Sequence, residues 1–304
     1  MSTTLLIAAV CPLLFVAAWT GGRLHARIVN THLRVQLMLS FVGGLMLGLG
    51  LLHLLPHAIL VLGSLDAAFV SALVGVVVVF LTMRFFHVHS HDPAVECIDS
   101  DTSDGHSHDH AGTHEPGGGG VRWVTLLVGL SLHSVVDGLA VAAAVIIESG
   151  HTPVPGLGVL LVVLLHKPID AIALNATMSS AGAPKSVIRL TNLGFAAITP
   201  LAAIIAGFGF AEMGNAAGYA MAFAAGAFIC IALADLMPEL QFHTHHRPQL
   251  TAALIGGIGV SVLLGIFEGG HDHSHDFGHG HDHSGHSHSP DHGPAHDPDH
   301  DHDH

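Results

Sequence analysis

Eight long apolar runs constrain the fold of this chain more than any other feature of its sequence. They cover about residues 3–22, 38–61, 66–86, 122–147, 156–179, 187–209, 216–238 and 249–267. Each run is close to the roughly 20 residues that a helix needs to cross a bilayer. Because the bilayer core offers no water to the backbone, such segments must bond internally as helices. The sequence therefore predicts an all-α integral membrane protein with eight transmembrane helices.

The first apolar run is predicted to be a retained span and not a cleaved signal peptide. It lacks the basic segment that precedes the apolar core of a signal peptide, and Arg23 and Arg27 follow the run instead. Charged residues make up only 11% of the chain, against about 25% in soluble domains. The three cysteines form no CxxC pair, so neither a disulfide framework nor a thiolate zinc site is expected.

Basic residues fall on one side of the predicted bundle. Of the nine Lys and Arg residues, one lies inside a span, and the others lie in or beside the odd-numbered loops: Arg23, Arg27, Arg34, Arg84, Arg122, Lys185, Arg189 and Arg247. The positive-inside rule then places the odd-numbered loops in the cytoplasm and both termini outside. We therefore expect a multi-pass protein of the cell membrane.

Two polar tracts interrupt or follow the apolar runs. Residues 87–120 form the third loop, which the charge pattern places in the cytoplasm, and residues 269–304 form a tail rich in His and Asp. Neither tract can bury a core, so both are predicted to be disordered. The predicted organisation is therefore helices 1–3 in residues 1–86, a His-rich loop, helices 4–8 in residues 121–268, and an extracytoplasmic tail.

The strongest chemical signal lies in two consecutive spans. The fourth contains SLHSVVDGLAV, in which His133 and Asp137 are four residues apart, and the fifth contains LLHKPIDAIAL, in which His166 and Asp170 have the same spacing. Residues four apart share one face of a helix. If the two faces meet, they form a site of two nitrogens and two oxygens, which is the coordination number that zinc commonly takes.

Three further residues modify this predicted site. Pro168 removes a backbone donor and Gly138 loosens the facing helix, so both are predicted to allow kinks beside the ligands. Lys167 lies about 100° round the helix from His166. We interpret this lysine as a cation that offsets the two carboxylates while the site is empty.

Other ionisable residues lie nearer the ends of their spans. The second span contains HLLPHA, with His53 and His57, and the seventh contains ADLMPEL, with Asp235 and Glu239. Each of them alone is typical of an interfacial or capping residue. Together they are candidates for relays along an ion pathway.

At these motifs the chain resembles the ZIP family of divalent metal transporters. HSVVDG is similar to the family motif H-[NS]-x-x-[DE]-G, and HKPID is similar to the partner motif of the following span. The resemblance covers about residues 3–267. It implies a ZIP-like helical bundle of eight spans with outside termini, a His-rich cytoplasmic loop, and two packed bundles that slide or rock about a midplane site.

By that resemblance, His133, Asp137, His166 and Asp170 take the principal transport-site positions. Many members have a second, adjacent metal position, and this chain departs from them there. The residues that stand in place of its expected ligands are Ser134, Lys167 and Thr199. The departures argue against a second bound ion.

The sequence thus predicts a transporter and not an enzyme, moving zinc or another divalent ion into the cytoplasm. The same ligands would accept Cd²⁺, Fe²⁺, Mn²⁺ or Co²⁺. The expected partners are divalent ions and the lipid bilayer, without nucleic acid, and the sequence leaves a homodimer open.

Three alternatives stay open at this point. The first is an exporter of another family with His-rich loops, although such proteins typically have six spans and a folded cytoplasmic domain. The second is a membrane metalloenzyme, which would need an additional base, and no HExxH-like motif occurs. The third is a membrane protein whose His-rich tracts buffer metal.

Overall fold

The computed structural model describes residues 3–28, 32–86, 118–150, 152–242 and 247–268, and this part of the chain is helical apart from short turns. Its α-helices are α1 (Thr3–Ile28), α2 (His32–Leu49), α3 (Leu55–Leu62), α4 (Leu65–Phe86), α5 (Gly118–Glu148), α6 (Leu157–Ser180), α7 (Lys185–Glu212), α8 (Ala216–Phe242) and α9 (Arg247–Glu268). Among these residues, eight segments are long and apolar enough to cross a membrane. The predicted all-α, eight-span fold is therefore confirmed.

The second span is built from α2, a π-helical segment at Gly50–Leu54, and α3. Pro56 lies in the first turn of α3 and has no N–H to donate. In the π-helical segment the N–H of Leu55 bonds to the carbonyl of Gly50, one residue further back than in an α-helix. The span continues through the proline because this wider turn shifts the hydrogen-bond register.

Five helices form one group around α8, which we call the flanking group (α2, α3, α4, α8 and α9). Within it, α2 packs on α9 and α4 packs on α8 through glycines that lie directly against backbone carbonyls of the facing helix. The four contacts are those of Gly44 with Leu254, Gly75 with Phe223, Gly226 with Ala72 and Gly257 with Phe41. A β-carbon at any of these glycines would collide with backbone, so these helix pairs are held at close range.

The remaining helices form the ligand group (α1, α5, α6 and α7). In it, α1 packs on α6 and α7, and α5 packs on α7 and α6. Gly21 of α1 lies against the backbone of Pro168, and a β-carbon at Gly138 of α5 would lie 2.6 Å from the carbonyl oxygen of Thr199. Pro168 and Gly138, which the sequence predicts as kinks, thus have packing roles, whereas the kinks stay a prediction.

The two groups meet mainly where α5 packs on α8. The close glycine contacts named above each join two helices of the same group. The helix pairs that these glycines bring backbone to backbone therefore lie inside one group.

The helix that contains the fourth span extends beyond it, since the span itself, Trp123–Glu148, differs by only one residue at each end from the predicted 122–147. Helix α5 begins at Gly118, inside the tract predicted as loop 87–120. The rest of that tract and the tail predicted at 269–304 lie outside the described residues.

Candidate metal centre

The structure brings together four side chains from α5 and α6. His133, Asp137, His166 and Asp170 each offer one ligand atom, and these atoms lie within 4.8 Å of one another. Asp137 is completely buried and the His166 side chain is 2% exposed, whereas the Asp170 side chain is 17% exposed. The two ligand pairs that are 29 residues or more apart in sequence therefore form one cluster in space.

The spacing of this cluster suits a small cation. His166 Nε2 lies 3.4 Å from Asp137 Oδ2, and His133 Nε2 lies 3.6 Å from Asp137 Oδ2 and 3.7 Å from Asp170 Oδ2. Ligand atoms of a tetrahedral zinc ion are about 3.3 Å apart, because zinc bonds to nitrogen and oxygen measure about 2.0–2.2 Å. These three distances are within about 0.4 Å of that spacing, although the Lys167 ammonium contacts the same oxygen of Asp137.

Two local features align the ligand pairs. Each pair has the spacing of one helical turn, so histidine and aspartate project from the same face. At the other end of α5, the buried carboxylate of Glu148 accepts a hydrogen bond of 2.7 Å from the backbone N–H of Gly156. Gly156 precedes α6 and has a φ of +75°, which favours glycine. This turn fixes where α6 begins relative to α5.

Asp137 is the residue that joins the other members of the cluster. Its Oδ2 atom contacts His133 Nε2, His166 Nε2 and the Lys167 ammonium, so it is shared among three side chains. Its Oδ1 atom is buried and has no hydrogen-bond partner among the described residues. A buried carboxylate oxygen without a partner is costly, and a bound cation would satisfy it.

Lys167 is fully buried inside the cluster and not beside it. Its Nζ atom contacts Asp137, donates a hydrogen bond of 2.8 Å to Ser134 Oγ and lies 3.7 Å from Asp170 Oδ2. It also lies 5.5 Å from the ring centroid of Phe195, within the range of a cation–π contact. The sequence position of Lys167, about 100° round the helix from His166, did not predict these contacts. They form because the long side chain turns back towards the carboxylates.

The two imidazoles of the cluster have different surroundings. His166 Nδ1 lies 2.8 Å from the carbonyl oxygen of Val162, so this nitrogen donates a proton and Nε2 keeps its lone pair for a metal ion. His133 Nδ1 is buried and has no hydrogen-bond partner among the described residues. The ring of the fully buried Phe228, from α8, packs on both imidazoles.

Of the remaining candidate residues, His53 and His57 lie outside this cluster, and Thr199 packs on α5. Thr199 lies on α7 against Gly138, and its hydroxyl oxygen is buried without a hydrogen-bond partner in the described part of the chain. His53 Nε2 lies 3.0 Å from the carbonyl oxygen of Ser261 on α9, and His57 Nδ1 lies 2.8 Å from the carbonyl oxygen of His53. The two histidines are thus placed in the flanking group. The side chains of Asp235 and Glu239 lie outside the described residues.

Sequence reasoning missed three residues that shape this centre. Phe195 and Phe228 provide its aromatic walls, and Glu148 fixes the turn between the ligand helices. The phenylalanines look like any other apolar residues of a membrane span, so the sequence contains no signal for them. Glu148 does have a sequence signal, because a carboxylate at the end of an apolar run followed by SGHTPVPG is unusual.

The comparison with protein families gives one match over nearly the whole membrane part of the chain. A family model described as "ZIP Zinc transporter" matches residues 1–266. This range contains the four clustered ligands and all eight candidate spans.

Individual relatives agree with that match. The chain is 30% identical over 168 residues to "Zinc transporter ZIP9" of Xenopus tropicalis, covering 49% of this chain and 54% of the relative. It is 26% identical to "Zinc transporter ZIP9" of Micropogonias undulatus, covering 75% and 82%, and 25% identical to "Zinc transporter ZIP1" of Mus musculus, covering 84% and 86%. The matched region thus spans only about half the length of the frog relative.

Proposed function

The chain belongs to the ZIP zinc transporter family, and from that premise we propose that it carries Zn²⁺ across the membrane into the cytoplasm. The ion binds between α5 and α6, held by His133, Asp137, His166 and Asp170. The protein moves its substrate without converting it chemically.

The observation that supports this proposal most directly is the meeting of two ligand pairs inside the bundle. Their four ligand atoms lie within 4.8 Å of one another. Ionisable residues are expensive in a bilayer and occur there mostly in ion pathways or as paired groups. Four metal-binding side chains on two adjacent spans are therefore best explained by a path for a cation.

The assignment of the cytoplasmic side rests on topology, and the direction of transport rests on the resemblance. Helices of consecutive spans alternate in direction, so the end of α1, the end of α4 and the start of α7 lie on one side. Arg23, Arg84, Lys185 and Arg189 are found there, and the positive-inside rule makes that side cytoplasmic. Both termini are then outside, and import into the cytoplasm is the direction expected from the resemblance.

The site is proposed to hold one ion at a time. By the resemblance, Lys167 stands where many members have a ligand for a second ion, and its ammonium contacts Asp137 and Ser134. An ammonium at this position repels a second divalent cation. Zn²⁺ fits a four-ligand site of two nitrogens and two oxygens, while Cd²⁺, Fe²⁺, Mn²⁺ and Co²⁺ are candidate competitors because the same ligands bind them.

Uptake into sealed liposomes tests the proposal. The purified full chain is reconstituted, external ⁶⁵Zn²⁺ is added, and accumulation is measured alone and in a competition series with the other four ions. We expect saturable zinc uptake that is lost in Asp137→Ala, with Asp66→Ala as the matched control, since Asp66 is an exposed acid in the first turn of α4.

Two outcomes would contradict the proposal. Uptake that persists in Asp137→Ala would move the transport site elsewhere, and zinc binding without any uptake would favour a buffering protein. A homodimer is a separate hypothesis, which the mass of the detergent-solubilised protein tests directly.

A further inference from the structure

The two ligand histidines are held in place by different means. Nδ1 of His166 is fixed by the carbonyl oxygen of Val162, 2.8 Å away. Nδ1 of His133 is buried and has no hydrogen-bond partner among the described residues. Metal-binding histidines almost always use their second nitrogen in a hydrogen bond that sets the ring orientation. Within the described residues His133 has no such bond, so the orientation of its ring depends on other contacts.

The ring of Phe228 is placed to make such a contact. Its centroid lies 6.3 Å from that of His133, with 66° between the ring planes, and 6.4 Å from that of His166, with 78° between the planes. The two imidazoles are themselves 5.3 Å apart. These separations are within the roughly 4.5–7 Å over which aromatic rings attract each other edge to face. Three rings thus form a closed triangle, in which His133 is held by two neighbours.

Phe228 belongs to the flanking group, whereas both histidines belong to the ligand group. Its helix, α8, is fixed to α4 by the contacts of Gly226 with Ala72 and of Gly75 with Phe223. The Phe228 ring therefore stays with α4 and α8 if the ligand group moves relative to them.

We propose that Phe228 is a positioning residue that orients the imidazole of His133 for metal binding, and that it does so only while α5 faces α8. The affinity of the centre for metal then depends on how the two helix groups are placed. Displacement of the ligand group from Phe228 frees the His133 ring and weakens binding, which favours release. This inference rests on the metal centre of the proposed function, which it extends by a residue outside the ligand helices.

The first test compares two leucine substitutions on the same helix. Dissociation constants for Cd²⁺ are measured by titration calorimetry on the purified full chain for the parent, Phe228→Leu and the control Phe223→Leu. Phe223 is a partly buried member of the core on α8. Loss of an outer contact to a metal-binding histidine typically weakens affinity about 10–100-fold. We expect a loss of roughly tenfold for Phe228→Leu and little change for Phe223→Leu.

A conservative variant separates orientation from packing. Phe228→Tyr keeps the aromatic ring, so its affinity should stay close to that of the parent. If the Tyr and Leu variants bind Cd²⁺ equally weakly, or if Phe223→Leu weakens binding as much as Phe228→Leu, the side chain only fills space and the proposal is wrong.

The second test asks which histidine the phenylalanine acts through. Phe228→Leu is combined with His133→Ala and, separately, with His166→Ala. The proposal expects no further loss of Cd²⁺ affinity in the His133→Ala background and a persistent loss in the His166→Ala background. Equal losses in both backgrounds would overturn it.

Imidazole ¹⁵N shifts of His133 provide a direct measurement if the His133→Ala background binds too weakly to titrate. We expect one defined tautomer in the metal-loaded parent and an averaged signal in Phe228→Leu. Identical signals would overturn the proposal. Binding and uptake that survive in Asp137→Ala would instead show that the metal centre itself is misplaced, so the two failures are distinguishable.

Discussion

The His–Asp pairs of α5 and α6 are alike in sequence and unlike in structure. The α5 pair contains the fully buried Asp137, which contacts both imidazoles and Lys167, and a histidine whose second nitrogen has no hydrogen-bond partner in the described part of the chain. The α6 pair contains a histidine fixed by its own helix and the partly exposed Asp170. The same spacing therefore gives α5 a carboxylate that contacts the other members of the site. It gives α6 an imidazole whose orientation is already fixed by a hydrogen bond.

The largest expected effect comes from removing either of the two carboxylates. Asp137→Ala and Asp170→Ala should both abolish zinc uptake, because each removes one of four ligands. Only Asp137→Ala should also destabilise the protein strongly, since losing one partner of a buried ion pair costs about 3–5 kcal/mol. Uptake in liposomes and thermal melting of the detergent-solubilised variants check this. Equal melting temperatures would show that the two carboxylates are structurally equivalent.

The next effect concerns the imidazoles. His166→Ala should weaken zinc binding more than His133→Ala, by roughly tenfold, because the His166 ring is already oriented by Val162 and no ordering is needed when the ion binds. Calorimetric titration with Zn²⁺ measures both constants. A larger loss for His133→Ala would reverse the proposed order of the two ligands.

Replacing Lys167, which lies near the aspartates of both pairs, should have a smaller effect. The number of bound ions should rise from one to two. The parent is expected to bind one ion, whereas Lys167→Glu adds a carboxylate beside Asp137 and should admit a second. Metal-to-protein ratios and anomalous scattering check this, with a second peak expected within about 4 Å of the first. Two ions in the parent would contradict the role proposed for Lys167.

The smallest expected effect comes from lengthening the acidic side chain at each of the two positions. Asp170→Glu should change the half-saturation concentration for zinc only a few-fold, since Asp170 is partly exposed and has room to adjust. Asp137→Glu should be far more damaging, because Asp137 is enclosed on all sides. Concentration series of zinc uptake for the two variants test this. Equal tolerance at both positions would mean that burial does not limit the geometry of the centre.

Much of the fold was predictable because the bilayer imposes local constraints. Span length and hydropathy are properties of short stretches, and the predicted span at 66–86 differs by only one residue at each end from the segment Leu65–Phe85. The i, i+4 spacing is also local, and it was enough to predict that His133 lies on the same helix face as Asp137.

The parts that could not be predicted depend on contacts between distant segments. Phe228 is 95 residues from His133 in the chain, and nothing in its neighbourhood distinguishes it from other apolar residues. The position of Lys167 Nζ depends on which carboxylates the opposite helix presents. Packing of Gly138 against Thr199 likewise required knowledge of which helix lies beside α5.

The charge of the buried lysine would determine how the membrane voltage acts on the loaded and the empty metal centre. Counting formal charges alone, two aspartates and one lysine give the empty centre −1, and one divalent ion changes this to +1. A full unit charge crossing the membrane gains or loses about 2.3 kcal/mol per 100 mV. Where the inside is negative, the voltage would draw the loaded centre inward and drive the empty centre back outward. Without the lysine, the corresponding charges would be −2 and 0, and the voltage would act on the return step alone.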